Sequence, residues 1–394
     1  MTDAANTAAP AVDTPDWASI VAVTLGIAAF GMSLGLTYPL ISLILTDRGY
    51  GETVVGANAA TMALGLATAT FMIPRLTATL PAARLVVVSL CLAAAAILGF
   101  ALFPSLAAWF GLRFMLGFCI NVVFVLGEAW LNAACTENLR GRVASIYTAV
   151  LSISFAIGPL GVPAFGKESG FGFAAGAALV ALIAISFAVL TRRARVRPEP
   201  APPGSLLRFA LAAPHLVLMV GVFAFVDAAA ISLLPVYFVE KGLSEGWAAT
   251  TVTVLFLGVL GSMPLVGYAL DRLNRRAIAA ACALISAVAA LGLPLADAET
   301  WLVWPLLFML GGAFSGIYAC ALTGLGEAFK GGLLVAGSAM FALSYAAGGI
   351  VGPATVGPLM ETVGLEAVPV SFAVVLLATA AVLPLLRRRA NRTN

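Results

Sequence analysis

The sequence predicts an all-α membrane protein with twelve transmembrane helices, and three observations support that class. Hydrophobic residues make up 62% of the chain and charged residues 10%, with a mean hydropathy of +1.06, whereas a soluble domain has about 25% charged residues. The 394 residues hold roughly twelve units of about 30 residues, each an apolar helix with its turn. Basic residues, finally, cluster in alternate turns between the apolar segments, as they do in multi-pass membrane proteins.

Each apolar segment is long enough to cross a bilayer, and most polar turns between the segments are short. In chain order, we predict spans 1 to 12 at 17–42, 54–74, 84–103, 106–131, 144–165, 171–190, 214–238, 248–268, 277–296, 301–326, 333–357 and 366–386. The first 16 residues contain acidic but no basic residues, which is the wrong composition for the start of a cleaved signal peptide. Span 1 is therefore expected to remain as a helix of the mature protein.

The distribution of lysine and arginine predicts which side of the membrane each turn occupies. With an even number of spans, both termini share one side with the turns that follow spans 2, 4, 6, 8 and 10. Those regions hold 17 of the 21 basic residues; three others lie in turns on the other side, and Arg113 lies within span 4. Because basic residues concentrate on the cytoplasmic side, both termini are predicted to be cytoplasmic. The net charge of +3 reflects this topology and gives no reason to expect nucleic-acid binding.

The longest polar stretch, TRRARVRPEPAPPG from Thr191 onward, divides the spans into two sets of six. Its prolines and arginines cannot form a spanning helix. We therefore predict five regions along the chain. They are a cytoplasmic tail at 1–16, a six-helix bundle at 17–190, a cytoplasmic linker at 191–213, a second six-helix bundle at 214–386 and a cytoplasmic tail at 387–394.

Three pairs of similar segments indicate that the two halves arose by duplication. The pairs are DRGY at 47–50 and EKGL at 240–243, LGEAW at 126–130 and LGEAF at 325–329, and Gly-Pro at 158–159 and 352–353. They occur in the same order in each half and at equivalent spans. A parallel repeat of six spans predicts two pseudo-symmetric six-helix bundles.

The turn after span 8 carries the most distinctive motif, a Gly-x-x-x-Asp-Arg-x-x-Arg-Arg string that we call the signature loop. It contains Gly267, Asp271, Arg272, Arg275 and Arg276. The string resembles the signature loop of the major facilitator superfamily of transporters, and the resemblance extends over essentially the whole chain. It implies two bundles that rock around a central cavity, with this loop stabilising the outward-facing state. Gly267 would permit close backbone approach, and the Asp271 carboxylate would accept hydrogen bonds from a helix N-terminus.

This chain departs from the family pattern at two positions. Asn274 stands where the family usually has glycine. The family pattern is usually strongest after span 2, but there Ala78 occupies the position of the aspartate. The alternative interpretation of the signature loop is a basic cytoplasmic turn with no conformational role.

Four charged residues lie within spans, where ionisable side chains are costly and usually functional. They are Arg113 and Glu128 on span 4, Asp227 near the middle of span 7, and Glu327 on span 10. Asn121 shares a helix face with Glu128, two turns away. The resemblance implies that spans 1, 4, 7 and 10 line the cavity, and Arg113 matches the span 4 motif of proton-driven members. We predict that these five residues serve substrate binding or proton coupling, Asp227 being paired across the cavity or protonatable.

Structural roles remain open for two of these charges. Glu128 could form an ion pair with Arg140 or Arg142, and Glu327 could form one with Lys330. Both glutamates lie near the predicted cytoplasmic ends of their spans, where such pairs are common.

The Gly-Pro steps of spans 5 and 11 are predicted helix bends, because proline removes a backbone hydrogen bond and glycine permits close packing. Gly158 and Pro159 lie in a stretch that resembles part of the antiporter motif of the drug:proton branch. Gly352 and Pro353 are their counterparts in span 11. An antiport role and ordinary helix packing explain these steps about equally well.

The strings GEAWLN at 127–132 and RGRV at 140–143 resemble the YcaD-like bacterial transporters. The sequence contains no nucleotide-binding, metalloprotease or nucleophile motif, so we expect no enzymatic activity, cofactor or metal. The predicted function is proton-coupled efflux of a small amphipathic or hydrophobic compound across the bacterial inner membrane, by a protein expected to be monomeric. Proton-coupled import of a metabolite, and a receptor or scaffold that does not transport, are the alternatives.

Overall fold

The computed structural model describes residues 15–166, 170–192, 206–296, 301–329 and 331–390, with the backbone alone at some helical positions. Within this part of the chain every regular element is helical, and eleven helices are long and apolar enough to cross a membrane. A shorter apolar helix, Ala367–Leu383, follows them. The predicted fold class, an all-α membrane protein with twelve spans, is confirmed.

The helices coincide with the predicted spans and extend most of them by several residues, because hydropathy marks only the bilayer core whereas the helices continue into the polar interface. Their bounds, from span 1 to span 12, are Trp17–Asp47, Glu52–Thr79, Ala82–Leu102, Leu106–Ala134, Glu137–Ile157 with Gly161–Phe165, Phe171–Thr191, Pro214–Glu240, Glu245–Arg272, Arg275–Gly292, Val303–Ala328, Gly331–Val363 and Ala367–Ala390. A 3₁₀ turn, Gly158–Leu160, joins the two pieces of span 5.

The same pairs of helices pack together in both halves of the chain. Span 1 contacts spans 4, 5 and 6, span 3 contacts spans 4 and 6, and span 2 contacts span 4; the counterparts six spans later do the same. The halves meet through spans 2 and 11 and through spans 5 and 8, with spans 1 and 7 also in contact. We call the side of the bundle where span 1 begins the terminal face, and the other side the opposite face.

The duplicated turns after spans 1 and 7 form equivalent contacts at the opposite face. Arg48 donates a hydrogen bond from Nη1 to the carbonyl oxygen of Pro104 at 3.1 Å, in the turn between spans 3 and 4. Lys241 donates from Nζ to the carbonyl oxygen of Pro294 at 3.1 Å, in the connection between spans 9 and 10. Each basic side chain therefore links the end of the first helix of its half to the connection between the third and fourth helices of the same half.

Spans 2 and 11 form what we call the glycine interface, which holds the halves together near the opposite face. A Cβ atom at Gly56 would overlap the carbonyl oxygen of Pro353, so glycine is required for this approach. The Glu361 carboxylate at the end of span 11 accepts a hydrogen bond from the backbone N–H of Thr53 at 2.9 Å, in the first turn of span 2. The carboxylate therefore lies at a helix N-terminus, where the helix dipole favours negative charge.

Spans 5 and 8 form the second contact between the halves, which we call the aromatic interface. The rings of Phe155 and Phe256 stack with centroids 4.6 Å apart. The Thr253 hydroxyl donates a hydrogen bond to the carbonyl oxygen of Ala156 at 2.7 Å.

The end of the predicted linker is helical. Residues 193–205 lie outside the described part of the chain, and the helix Leu206–Ala212 then packs against spans 7 and 11. Phe209 is fully buried, with its ring centroid 5.0 Å from that of Phe329 and 6.2 Å from that of Phe341. The predicted linker at 191–213 therefore includes a helix that packs on the second half.

Candidate functional site

A central cavity of about 1060 Å³ lies between the two halves. Its wall is formed by the terminal-face portions of spans 2, 4, 5, 7, 8, 10 and 11 together with Phe30 of span 1, and it reaches Pro81 in the turn between spans 2 and 3. The glycine and aromatic interfaces hold the halves together on the other side, so the cavity opens toward the terminal face. Its volume is slightly above the usual range for small-molecule sites, about 300–1,000 Å³.

Aromatic side chains line the closed end of the cavity. Their ring centroids lie 4.6 to 6.1 Å apart in the pairs Phe30–Phe124, Phe30–Phe155, Phe155–Phe256, Phe223–Tyr318 and Phe223–Tyr345. Among the lining residues whose side chains are described, Glu128 and Asp227 carry carboxyl groups and none is basic. The surface is therefore suited to an apolar or aromatic molecule, with two acidic groups within reach.

Asp227 lies at the midpoint of span 7, in the wall of the cavity, and is only 3% exposed. The Tyr345 hydroxyl on span 11 donates a hydrogen bond to its Oδ2 atom at 2.7 Å. The observed hydrogen-bond partner of Asp227 is therefore a neutral tyrosine of its own half, not a cation across the cavity.

Arg113 is buried against span 1 and is not among the cavity-lining residues. Its Nη1 atom donates a hydrogen bond to Thr37 Oγ1 at 2.9 Å, and its guanidinium carbon lies 4.0 Å from the ring centroid of Tyr38. The buried Nε atom has no hydrogen-bond partner. Span 4 therefore does not present Arg113 on one polar stripe with Asn121 and Glu128, because the long arginine side chain turns toward the neighbouring helix.

Asn121 and Glu128 both line the cavity, on one face of span 4. The Asn121 amide donates hydrogen bonds to the Leu66 carbonyl oxygen at 2.8 Å and to Thr70 Oγ1 at 2.9 Å. Asn121 thus ties span 4 to span 2. The Glu128 side chain is exposed to the cavity, whose wall also includes Tyr318 of span 10.

The two Gly-Pro steps differ in helix geometry but share a packing role. The α-helix of span 5 gives way to the 3₁₀ turn at Gly158, whereas the helix of span 11 continues through its Gly-Pro step. A Cβ atom at Gly158 would overlap the backbone of Gly35 in span 1, and one at Gly352 would overlap the carbonyl oxygen of Phe225 in span 7. Both steps therefore bring their span into backbone contact with the first helix of the same half.

The signature loop lies at the mouth of the cavity. No described atom is within 4 Å of the position that a Cβ would occupy at Gly267, so the predicted close approach is absent in this conformation. The Arg272 guanidinium lies 4.2 Å from the ring centroid of Tyr268. Asn274 accepts a hydrogen bond from the backbone N–H of Arg276 at 3.0 Å and caps span 9. This cap gives a physical reason for asparagine at the position where the family usually has glycine.

Some predicted residues lie outside the described side chains. Asp271, Glu327 and Arg140 are described by their backbone alone, and Lys330 lies outside the described part of the chain. The contacts of Asp271 and the pairing of the two glutamates therefore stay predictions.

Sequence reasoning missed three tyrosines within the bundle: Tyr345, which donates to Asp227, Tyr318 in the cavity wall, and Tyr38, whose ring contacts Arg113. The chain has only seven tyrosines, and membrane helices usually carry tyrosine near the bilayer interfaces. Tyr318 and Tyr345 instead line the cavity well within spans 10 and 11, and Tyr38 is 3% exposed in span 1. The depth of Tyr318 and Tyr345 in the predicted spans is the signal that could have identified them, whereas Tyr38 lies close to the predicted end of span 1 and gives no such signal.

Comparison with known proteins identifies the family. The family model for the Major Facilitator Superfamily matches residues 23–263, which is more than half of the chain. This chain belongs to the Major Facilitator Superfamily. An uncharacterized MFS-type transporter of Bacillus subtilis (strain 168), YfkF, is 23% identical to this transporter over 356 residues, covering 86% of this chain and 88% of the relative. The uncharacterized MFS-type transporter YcaD of Escherichia coli O45:K1 (strain S88 / ExPEC) is 26% identical over 276 residues, or 68% and 69% of the two chains.

Solved structures share the fold of this major facilitator chain. A bacterial homolog of the human lysosomal transporter Spinster, in an inward-facing and occupied conformation, has a TM-score of 0.77 at 14% identity and covers 94% of this chain and 96% of its own. A point mutant of the nucleoside transporter NupG has a TM-score of 0.75 at 12% identity, with coverages of 93% and 98%. The family and the fold are those of multi-pass membrane transporters and not of enzymes.

Proposed function

We propose that this transporter exports a small amphipathic or hydrophobic compound across the bacterial inner membrane in exchange for protons. The observation that carries the proposal is the cavity, in which an aromatic closed end and a mainly apolar wall accompany two carboxyl groups, Asp227 and Glu128. An apolar lining favours ligands that need few polar groups for orientation. A sugar or an organic anion would need more hydroxyl, amide or basic partners than the described lining offers.

The proposed cycle is alternating access around this cavity. With cytoplasmic termini, as the basic residues predict, the terminal face is the cytoplasmic face, and the compound enters from the cytoplasm. A charged carboxyl group is costly at the depth of Asp227, so closure of the cavity around it is linked to proton binding. One chain contributes both halves of the cavity, which supports a monomer as the transporting unit.

The test is proton movement driven by a compound in proteoliposomes. Hydrophobic and amphipathic compounds that raise the thermal stability of the purified protein are added to vesicles containing a pH-sensitive dye. We expect proton flux opposite in direction to compound flux, abolished by a protonophore and absent from protein-free vesicles. Flux of both in the same direction would indicate a symporter, and compound flux without proton flux would indicate an uncoupled carrier. If stabilising compounds cause neither flux, a receptor role replaces the proposal.

A further inference from the structure

Asn121 has a fixed orientation in the wall of the cavity. Its Nδ2 atom donates to the Leu66 carbonyl oxygen at 2.8 Å and to Thr70 Oγ1 at 2.9 Å, so both amide hydrogens are used. A carbonyl oxygen can only accept a hydrogen bond, which excludes the flipped amide. Within the described part of the chain no group donates to Asn121 Oδ1, and that atom is not fully buried. Asn121 therefore offers a ligand in the cavity an acceptor and no donor.

Several hydroxyl groups of the cavity wall also direct their hydrogens into the protein. Carbonyl oxygens of the same helix accept, at 2.9 to 3.0 Å, from the lining residues Thr70, Thr77, Ser262 and Ser315. Tyr345 donates to Asp227 instead. Ser152 and Tyr318 also line the cavity, and their hydroxyl groups can donate as well as accept. A hydroxyl oxygen that has donated its hydrogen keeps lone pairs, so the first group of residues presents acceptors to a ligand.

The cavity is therefore rich in acceptors and poor in donors. Asp227 and Glu128 add carboxyl oxygens, and no described lining side chain is basic. A compound that carries only acceptors would leave them unpaired on entering the cavity, which costs free energy. A positively charged N–H group would instead form charge-assisted hydrogen bonds with the wall. A quaternary ammonium ion carries the same charge but has no hydrogen to donate.

We propose that the transported compound carries a protonated amine whose N–H group donates to Asn121 Oδ1, and that Asn121 selects such amines over quaternary ammonium ions. The carboxyl groups and the faces of the aromatic rings attract either kind of cation. The neutral amide distinguishes them, because it forms a hydrogen bond with the amine alone. The inference rests on the proposed function in taking this cavity as the transport site, and it adds the chemical class of the compound.

The test is the affinity of the purified protein for three aromatic probes, measured by titration calorimetry at about pH 7, where an alkylamine is protonated. The first probe, N,N-dimethyl naphthylethylamine, has one N–H group when protonated. Its N,N,N-trimethyl derivative has none, and the methyl ether of naphthylethanol is neutral. We expect the dimethyl amine to bind roughly tenfold or more tightly than the trimethyl ion, the scale of one hydrogen bond to a charged group. The ether, which has neither a charge nor a donor, should bind most weakly.

Asn121→Leu removes the acceptor at nearly constant side-chain volume. It should lower the ratio of the two cation affinities to about threefold or less. The loss should fall on the dimethyl amine, with affinity for the trimethyl ion kept within about twofold of wild type. A purely structural role of Asn121 would instead weaken the binding of both cations equally.

The matched control is Asn58→Leu, which removes another buried asparagine of the first half, 1% exposed on span 2 and not among the described cavity-lining residues. It should leave the ratio unchanged. If Asn121→Leu is unstable, Asn121→Thr replaces it, because the shorter hydroxyl side chain withdraws the acceptor from the cavity. Equal or tighter binding of the trimethyl ion or the ether, an unchanged ratio in the Asn121 variant, or no binding of any probe overturns the inference. If the wild-type protein moves no protons with any compound, the proposed function fails, and the affinity ratio still decides the role of Asn121.

Discussion

Asp227 and Tyr345 form a hydrogen bond of 2.7 Å in the wall of the cavity. A phenol can donate to a carboxylate and can accept from a carboxylic acid, so this contact survives both protonation states of Asp227. A lysine or arginine partner would instead favour the charged state alone. At the scale of single residues, the neutral partner is therefore compatible with both the charged and the protonated carboxyl group, as the proposed coupling role of Asp227 requires.

We predict that Asp227→Asn abolishes proton-coupled transport and leaves folding nearly intact. The amide has nearly the same volume and can still accept the Tyr345 hydrogen bond, but it cannot carry a proton. Compound-driven proton flux in proteoliposomes measures the loss, and the thermal midpoint serves as the folding control. Proton-driven transport at the wild-type rate would exclude this residue from the coupling mechanism.

We predict that Arg113→Ala impairs coupling and that Arg113→Lys restores only part of it. Lysine supplies the charge but not the planar group that stacks on Tyr38 while bonding to Thr37. The pH dependence of transport is the measurement, with a roughly tenfold loss of rate expected for the alanine variant. An unchanged pH profile in Arg113→Ala would mean that the residue only packs span 4 against span 1.

The sequence was sufficient to identify these charged residues but not their surroundings. Charges are rare in apolar spans, so Arg113, Glu128 and Asp227 were conspicuous. The neighbours of each side chain depend on the rotation of its helix and on contacts between spans distant in sequence. The pairs Arg113–Tyr38 and Asp227–Tyr345 are of this second kind, which explains why the sequence did not reveal them.

At the scale of helices, two glutamates on the opposite face have different roles. Glu361 bridges the halves by accepting from the backbone N–H of Thr53 in span 2. Glu366 accepts from Tyr237 at 3.0 Å and pairs with Lys241 at 3.1 Å, all within the second half. Only the first contact must break when the opposite face opens.

We predict that Glu361→Gln makes the opposite face open more often, by about two- to fivefold, the range expected for an exposed charge-assisted contact. Glutamine keeps the length of the side chain but loses the favourable interaction with the N-terminus of span 2. Labelling of a cysteine beneath the glycine interface measures the opening. Glu366→Gln is the matched control and should not change it; equal effects of the two variants would show that Glu361 has no special role between the halves.

Helices were the easiest elements to predict, because a run of about 20 apolar residues is a strong signal. Two features of the helices were not predicted, because they depend on surroundings that the local sequence does not show. The Gly-Pro step interrupts the α-helix of span 5 but not that of span 11, although the dipeptide is the same. The helix Leu206–Ala212 is too short to carry a membrane signal, and its burial depends on Phe329 and Phe341, more than a hundred residues away.

At the scale of the whole molecule, we predict that Asp271→Ala shifts the protein toward the conformation open at the terminal face. Loss of a carboxylate from a helix N-terminus or an arginine cluster costs about 1–2 kcal/mol, which changes a two-state ratio by roughly five- to thirtyfold. Transport is expected to slow, with compound affinity little changed. The turn after span 2 has Ala78 at the equivalent position, so it offers no second aspartate to compensate.

Spin-label distances across the opposite face report this shift. Asp47→Ala, which removes an acidic residue from the last turn of span 1, is the control for loss of a negative charge at a helix end. If the opposite face of the Asp271→Ala variant opens as often as in wild type, the signature loop only fixes topology.

The fold of the whole molecule was predictable, whereas its conformation was not. Alternating basic turns and paired segments fix the number of spans and the two halves. The two states of a transporter share one sequence and differ by only a few kcal/mol. The opening of the cavity toward the terminal face, and the separation around Gly267 that accompanies it, therefore have no signature in the sequence.

The glycine and aromatic interfaces would be identical if two copies of an ancestral six-helix protein had formed a symmetric dimer. In this chain they have diverged, since one joins backbone to backbone at Gly56 and the other stacks Phe155 on Phe256 with their planes 14° apart. Two helices whose backbones are in direct contact resist sliding past each other, whereas two helices that contact through stacked rings can shift with less loss of contact. We expect the rotation axis to lie off centre, near spans 2 and 11, so that spans 5 and 8 separate more widely when the opposite face opens. Equal distance changes across the two interfaces would contradict this asymmetry, and a larger change across spans 5 and 8 would support it.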